Sequence, residues 1–168
     1  MNNDDHKKSN LLVLRDLSEL EFNKWRASTV QDYADAGAKS GRWEKDSAAE
    51  KAEEETLKLL PDGVNTNGHY IYGAYLEDAL NQLLGSVWIG LRPNDLATRA
   101  FIYDITIDEA FQGKGYGRQL LALAELKAKK LGAEVIALHV FGYNDRAVKL
   151  YQTSGFKFDS HFMSKSLD

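Results

Sequence analysis

The chain has 168 residues, 43% of them hydrophobic and 27% charged, with a net charge of −4. That balance fits one soluble globular domain, burying roughly 70% of its unfolded surface, and argues against a disordered chain or a general nucleic-acid binder. There is no cysteine, which excludes disulfides, thiolate zinc sites and a cysteine nucleophile.

The four histidines, His6, His69, His139 and His161, lack metal-ligand spacing, so no metal is expected. The polar start M-N-N-D-D-H-K-K-S-N has no signal-peptide core, and no apolar run nears the ~18 residues that span a bilayer. The expectation is a cytoplasmic protein without membrane contact, one domain over residues 1–168 with 1–10 as a flexible N-terminus.

In chain order, residues 11–17 (L-L-V-L-R-D-L) read as a first strand. Ser18 and Glu21 form a capping box that opens a helix, with Phe22, Trp25, Thr29, Val30 and Tyr33 at helical spacing to about Asp35. The segment A-G-A-K-S-G-R breaks it. A second capping box, Ser47 with Glu50, starts a charged helix with Ala48, Ala52, Leu57 and Leu60 on its apolar face, stopped by Pro61-Asp62-Gly63.

Three strand-like runs follow, His69 to Leu76, Asn81 to Leu91 and Ala100 to Ile107, separated by Glu77-Asp78 and Arg92-Pro93-Asn94-Asp95 as in an antiparallel meander. A glycine-rich turn leads into a helix whose one face carries Leu120, Leu121, Ala124, Ala128 and Leu131, with Gly132 as its C-terminal stop. Glu134 to Phe141 is a further strand, and Asn144 caps a short helix that closes at Gly155. Residues 156–166 are expected to hold one or two last strands. The fold class is α/β (α+β), a mixed, mostly antiparallel sheet flanked by helices in the order β-α-α-β-β-β-α-β-α-β-β, with one β-α-β crossover.

Gln112, Gly113, Lys114, Gly115, Tyr116, Gly117 and Arg118 lie between a strand and a helix. Such a turn offers unpaired amides and the positive end of a helix dipole to an anion, and its glycines let a bulky anion approach the backbone. The spacing G-x-G-x-G fits neither the dinucleotide fingerprint nor a P-loop.

Downstream, Asn144, Ala147, Tyr151, Gly155 and Phe156 stand at fixed offsets in N-D-R-A-V-K-L-Y-Q-T-S-G-F. Together with Gln112-x-x-Gly115-x-Gly117 and the preceding I-T-I-D-E, this run resembles the GNAT superfamily of acyl-CoA-dependent N-acyltransferases, over residues 11–166. Gln112 replaces the family's commoner arginine, so phosphate binding would lean on the backbone, Lys114 and Arg118.

The resemblance implies acetyl-CoA or coenzyme A as co-substrate, with its pyrophosphate on the amides of Gly113 to Arg118. Its pantetheine arm would lie along Ile105, Thr106 and Ile107, where the central strand splays from Val135–Val140. Asn144 is first a helix cap, and in the family-like role it touches the cofactor arm, as would Ala147. Tyr151 is the family-matched general acid. A phenol near pKa ~10 is protonated at neutral pH and can protonate a thiolate whose thiol lies near ~8.5.

The implied reaction is direct attack of a primary amine, small molecule or peptide, on the thioester in a ternary complex. The alternative is a non-catalytic acyl-CoA-binding sensor or partner module. Alternation on the strand places Asp104 and Thr106 opposite Phe101, Tyr103, Ile105 and Ile107, which makes Asp104 a base candidate. Deprotonating a lysine-like amine (pKa ~10.4) at pH 7 costs about 4.6 kcal/mol, and an α-amine near ~7.8 only about 1 kcal/mol. Glu53-Glu54-Glu55 is either a solvated helix face or a lure for a cationic amine. His139 reads as a half-buried strand residue. The assembly is a monomer or a homodimer.

Overall fold

A computed structural model of the protein describes residues 10–93, 97–160, 163, 165 and 167. Contacts divide the chain into two units, Met1–Leu138 and His139–Asp168.

The first unit is built on a five-stranded sheet in the order β1-β2-β3-β4-β5. Its strands are β1 (Leu12–Asp16), β2 (His69–Leu76), β3 (Ala79–Pro93), β4 (Thr98–Ile107) and β5 (Val135–Leu138). The first four pair antiparallel, and β4 pairs with β5 in parallel through the crossover helix α3 (Tyr116–Lys130). The mixed, mostly antiparallel sheet is as expected. Of the expected β3–β4 turn, Arg92 and Pro93 instead continue β3, paired with Arg99 and Thr98, and Asn94 and Asp95 lie outside the described residues.

One face of the sheet carries α1 (Glu19–Lys39) and α2 (Ala48–Leu59). Ser18 and Glu21 close the expected capping box in both directions, which fixes the start of α1. Leu17, Phe22 and Trp25 then meet Leu60, Ile71 and Trp88 in a buried cluster, with the Trp25 and Trp88 rings edge-on at 5.6 Å. On the other face α3 buries Leu120, Leu121, Ala124 and Ala128, the stripe its sequence spacing sets out, while Leu131 is its half-buried C-cap. Gln119 ties that helix to β1 by accepting from Leu12 N at 3.0 Å and donating to Asn10 O at 3.0 Å.

Several expectations are corrected. Helix α1 runs through Gly37 to Lys39, because the Trp43 ring packs where a Cβ at Gly37 would stand, 2.2 Å away. The second capping box does not form: Ser47 donates to Glu44 O instead, yet α2 still begins at Ala48. Thr56, not the exposed Leu57, completes the buried face of α2.

Glu53 and Glu55 tie α2 to Arg26 and to the Arg42–Tyr33 pair, while Glu54 pairs with Lys58 along its own exposed helix face. Strand β5 covers only four of the eight residues expected.

The second unit contains α4 (Asp145–Thr153). Asn144 Oδ1 accepts from Ala147 N at 3.1 Å, so it is the expected helix cap. Gly155, with φ +96°, ends the helix and returns Phe156 N to Tyr151 O at 3.0 Å. Residues 156–160 form no strand, nor do residues 163, 165 and 167; the rest of the expected terminal strands lies outside the described residues. His139 is exposed rather than half-buried, with its ring edge-on to Phe141. No described helix is long and apolar enough to cross a membrane.

Candidate functional site

Strand β4 changes character halfway along. Its pairing with β5 runs from Arg99↔Val135 to Ile102↔Leu138 and stops there, while pairing with β3 continues to Ile107↔Gly85. Asp108 N donates to Leu84 O at 2.9 Å. In an antiparallel ladder alternate residues turn both backbone groups to the same partner, so Thr106 and Asp104 follow Asp108 in facing β3. The backbone groups of Ile105 and Ile107 therefore face the edge that β5 has left. Gln112 Nε2 already donates to the Ile107 carbonyl at 2.8 Å.

The close approach of β3 to this half depends on Gly85, where a Cβ would lie 2.2 Å from Thr106 O. The glycine turn read as an anion site follows β4. Gly113 and Gly115 have φ +78° and +85°, and a Cβ at either would meet nothing within 4 Å. Helix α3 starts at Tyr116 without a side-chain cap, and its first intrahelical bond is Gln119 N to Gly115 O at 3.3 Å. The amides of Tyr116 and Gly117 precede that bond and have no helical acceptor ahead of them. Lys114 folds back on Ala110 O and the Phe111 ring, and Arg118 is exposed on the first turn. Open space, uncapped amides and two cations fit a pyrophosphate.

Asp104 is set by a β-bulge. The register passes from Trp88↔Asp104 to Ile89↔Ile102, which leaves Tyr103 as the extra residue. Asp104 and Thr106 thus lie opposite Ile105 and Ile107 as expected, but the extra residue puts them on the same face as Phe101 and Tyr103. Simple alternation fails there.

That face is walled by aromatics. The Tyr103 ring stacks on Trp88 at 4.6 Å, and Trp88 Nε1 donates to His69 Nδ1 at 3.0 Å. Burial and the Arg92 charge hold the His69 imidazole below its usual range.

The Asp104 carboxyl is pushed up to about 6. Desolvation is the main cause, and the nearby Asp32 carboxylate adds to it. Hydrogen bonding from Thr106 (Oγ1 to Oδ1, 3.2 Å) and the Trp25 indole acts in the opposite sense. Asp32 is itself raised, by desolvation and by Asp35. Among the described residues, Trp25 Nε1 is the buried side-chain polar atom without a hydrogen-bond partner of ordinary geometry. Its N–H nonetheless acts on the Asp104 carboxyl in the sense of a donor, favouring the ionised form.

In the second unit Tyr151 is half-buried on α4, its ring tilted against Phe156 at 5.8 Å. Ala147 lies one turn earlier, over the Asn144 cap.

The family described as "Acetyltransferase (GNAT) family" matches residues 28–156. The chain belongs to the GNAT acetyltransferases. It is 35% identical over 155 residues to the uncharacterized N-acetyltransferase YdgE of Bacillus subtilis, covering 92% of this chain and 98% of that one. The crystal structure of YycN from the same organism has a TM-score of 0.86 at 33% identity, covering 93% of this chain and 98% of that one. A Bacillus subtilis spermine/spermidine N(1)-acetyltransferase is 32% identical over 111 residues, covering 63% of this chain and 71% of that protein.

For a member of this family, the interrupted β4–β5 pairing and the glycine turn bring Ile105, Ile107, Gln112 and the first amides of α3 onto one continuous stretch. Sequence reasoning did not mark Trp25, Asp32 or the bulge at Tyr103. Trp25 carries the helical spacing of a core residue, which it also is, and no sequence signal marks a one-residue register shift.

Proposed function

We propose that the protein transfers an acetyl group from acetyl-CoA to a primary amine by direct attack, with Asp104 as general base and Tyr151 as general acid. The observation that carries this reading is the half of β4 left open where pairing with β5 stops, with the desolvated Asp104 carboxyl beside it.

Coenzyme A supplies an activated thioester. Gly113, Lys114, Gly115, Tyr116, Gly117 and Arg118 hold its phosphates in this reading. The backbone of Ile105 and Ile107 takes the arm as an added strand would be taken, with the Thr106 side chain on the acceptor face and Asn144 and Ala147 as further contacts. A strand N–H directed at the carbonyl oxygen polarises it.

Asp104 removes the amine's proton. A carboxyl at about 6 makes transfer from an ammonium less uphill by about 3 kcal/mol than one in the usual range near ~3.9. It also remains mostly ionised at pH 7. Tyr151 gives its phenolic proton to the departing thiolate. Asp32 and Asp35 add negative charge on the α1 side, which favours a cationic acceptor, and the polyamine-acetylating relative makes polyamines a sensible part of any acceptor panel.

The test is thiol release from acetyl-CoA against a panel of polyamines, lysine-like amines and peptide α-amines. Tyr151→Phe is expected to lower kcat about 100-fold with the coenzyme A affinity kept. Unchanged turnover in that variant would refute the acid assignment. Coenzyme A binding without turnover on any amine would favour a binding module instead.

A further inference from the structure

Trp25 stands seven residues, two helical turns, before Asp32 on α1. Its ring is 7% exposed, clamped by Phe22 at 5.5 Å and edge-on to Trp88, the cross-strand neighbour of Asp104. Its apolar surface is fully used, yet its one polar atom has no partner of ordinary geometry. A phenylalanine would fill such a place without leaving a buried donor unsatisfied, and buried orphan donors are rare in native interiors.

We propose that the Trp25 indole N–H is a donor reserved for the ionised Asp104 carboxylate, closing on it when the proton leaves, which makes Trp25 the positioning residue of the base. The inference rests on Asp104 being that base. A protonated carboxyl needs no further donor beyond Thr106 and the Ile105 backbone N–H. The carboxylate, with more acceptor capacity and a full charge, gains from one. A donor fixed beforehand by ring packing stabilises the charge as it forms, with little rearrangement.

The groups facing Asp104 within the first unit are few. From α1 they are Asp32, which opposes ionisation, and Trp25; from its own strand they are Thr106, the Ile105 backbone N–H and the bulged Tyr103. From β2 and β3, His69 and Arg92 lie behind the Trp88 and Tyr103 rings. Among the described residues, Asp32 is the charged group that acts on Asp104, with no cation offsetting it. The charged form of the base therefore leans on neutral donors.

The experiment follows the indole N–H resonances of Trp25, Trp43 and Trp88 by NMR across pH 4.5–8, alongside the Asp104 carboxyl carbon. The Trp25 N–H is expected to move downfield with the same midpoint as Asp104, near 6, and to stay still in Asp104→Asn. In Trp25→Phe, which keeps the ring packing, the Asp104 midpoint should rise by about one pH unit. The acid limb of kcat/KM should rise with it.

An indole resonance that ignores the Asp104 titration would overturn the proposal, as would an Asp104 midpoint unmoved by Trp25→Phe. The NMR readout needs neither acceptor nor turnover, so it separates two failures. If Asp104→Asn retains full activity while the Trp25 signal tracks Asp104, the assignment of the base is wrong and the donor relationship stands. If Asp104→Asn is inactive and Trp25 does not respond, Trp25 is only core.

Discussion

From Thr98 to Ile102, β4 is hydrogen-bonded to β3 on one side and to β5 on the other, and Ala100 and Ile102 are buried. From Tyr103 to Ile107 the same strand keeps β3 alone, carries the bulge, and presents Asp104 and an exposed Thr106 that donates to it. The first half is anchored on both edges, and the second gives up one edge to expose backbone donors and a poorly solvated carboxyl. An unpaired edge in mid-sheet is a liability that folds ordinarily cover. Here the junction between the halves coincides with the bulge, so the end of β5 pairing and the re-aiming of Asp104 occur at one place.

The largest expected effect removes what distinguishes the open half. Asp104→Asn should lower kcat/KM at pH 8 by about 100- to 1,000-fold and abolish the acid limb near pH 6, read from a pH–rate profile. Stability should move the other way. Because the folded-state pKa is raised, the native protein binds this proton more tightly than the unfolded chain, so wild type loses stability as pH climbs from about 4 through 6. The asparagine variant escapes that loss. It should be more stable than wild type at pH 8 by roughly 1–3 kcal/mol, with the gap shrinking toward pH 4 in denaturant titrations.

Gly85→Ala attacks the strand that the open half still has. Its Cβ would meet Thr106 O and the Ile107 backbone. It should cost about 1–3 kcal/mol in urea unfolding and disturb coenzyme A binding as well. A substitution at Gly115 separates the two effects, because its space is open and only its φ of +85° is at stake. Gly115→Ala should cost about 1 kcal/mol in stability. It should also weaken coenzyme A roughly tenfold by calorimetry, the loss of about one charged hydrogen bond. Smallest is Gln112→Ala, which removes the bond to Ile107 O and should cost about 1 kcal/mol while moving KM for the acyl donor more than kcat.

Legibility in the sequence followed the range of the interaction. The Ser18–Glu21 box, the Asn144 cap, the α3 stripe and the positive-φ glycines are local, and each is present. Ser47 has the residues of a capping box but spends its hydroxyl on Glu44 O, a choice that local pattern does not decide. Gly37 reads as a helix breaker until Trp43 folds over it. The face of Asp104 depended on a register shift between β3 and β4, and the Trp25 donor on which residue that shift placed opposite Trp88. Both are properties of strand pairing rather than of any one segment. The residue types at the candidate site were legible, and their orientation was not.

The bond from Gln112 to the Ile107 carbonyl spans a single turn of 3-10 helix, Glu109–Phe111, between the strand and the glycine loop. It works as a caliper. One jaw is the open strand edge, the other is the set of amides at the head of α3, and the side chain sets the gap between them. In the proposed complex, an acyl donor with a shortened arm between phosphates and thiol would reach one jaw or the other, so the protein would measure its donor by length as well as by charge.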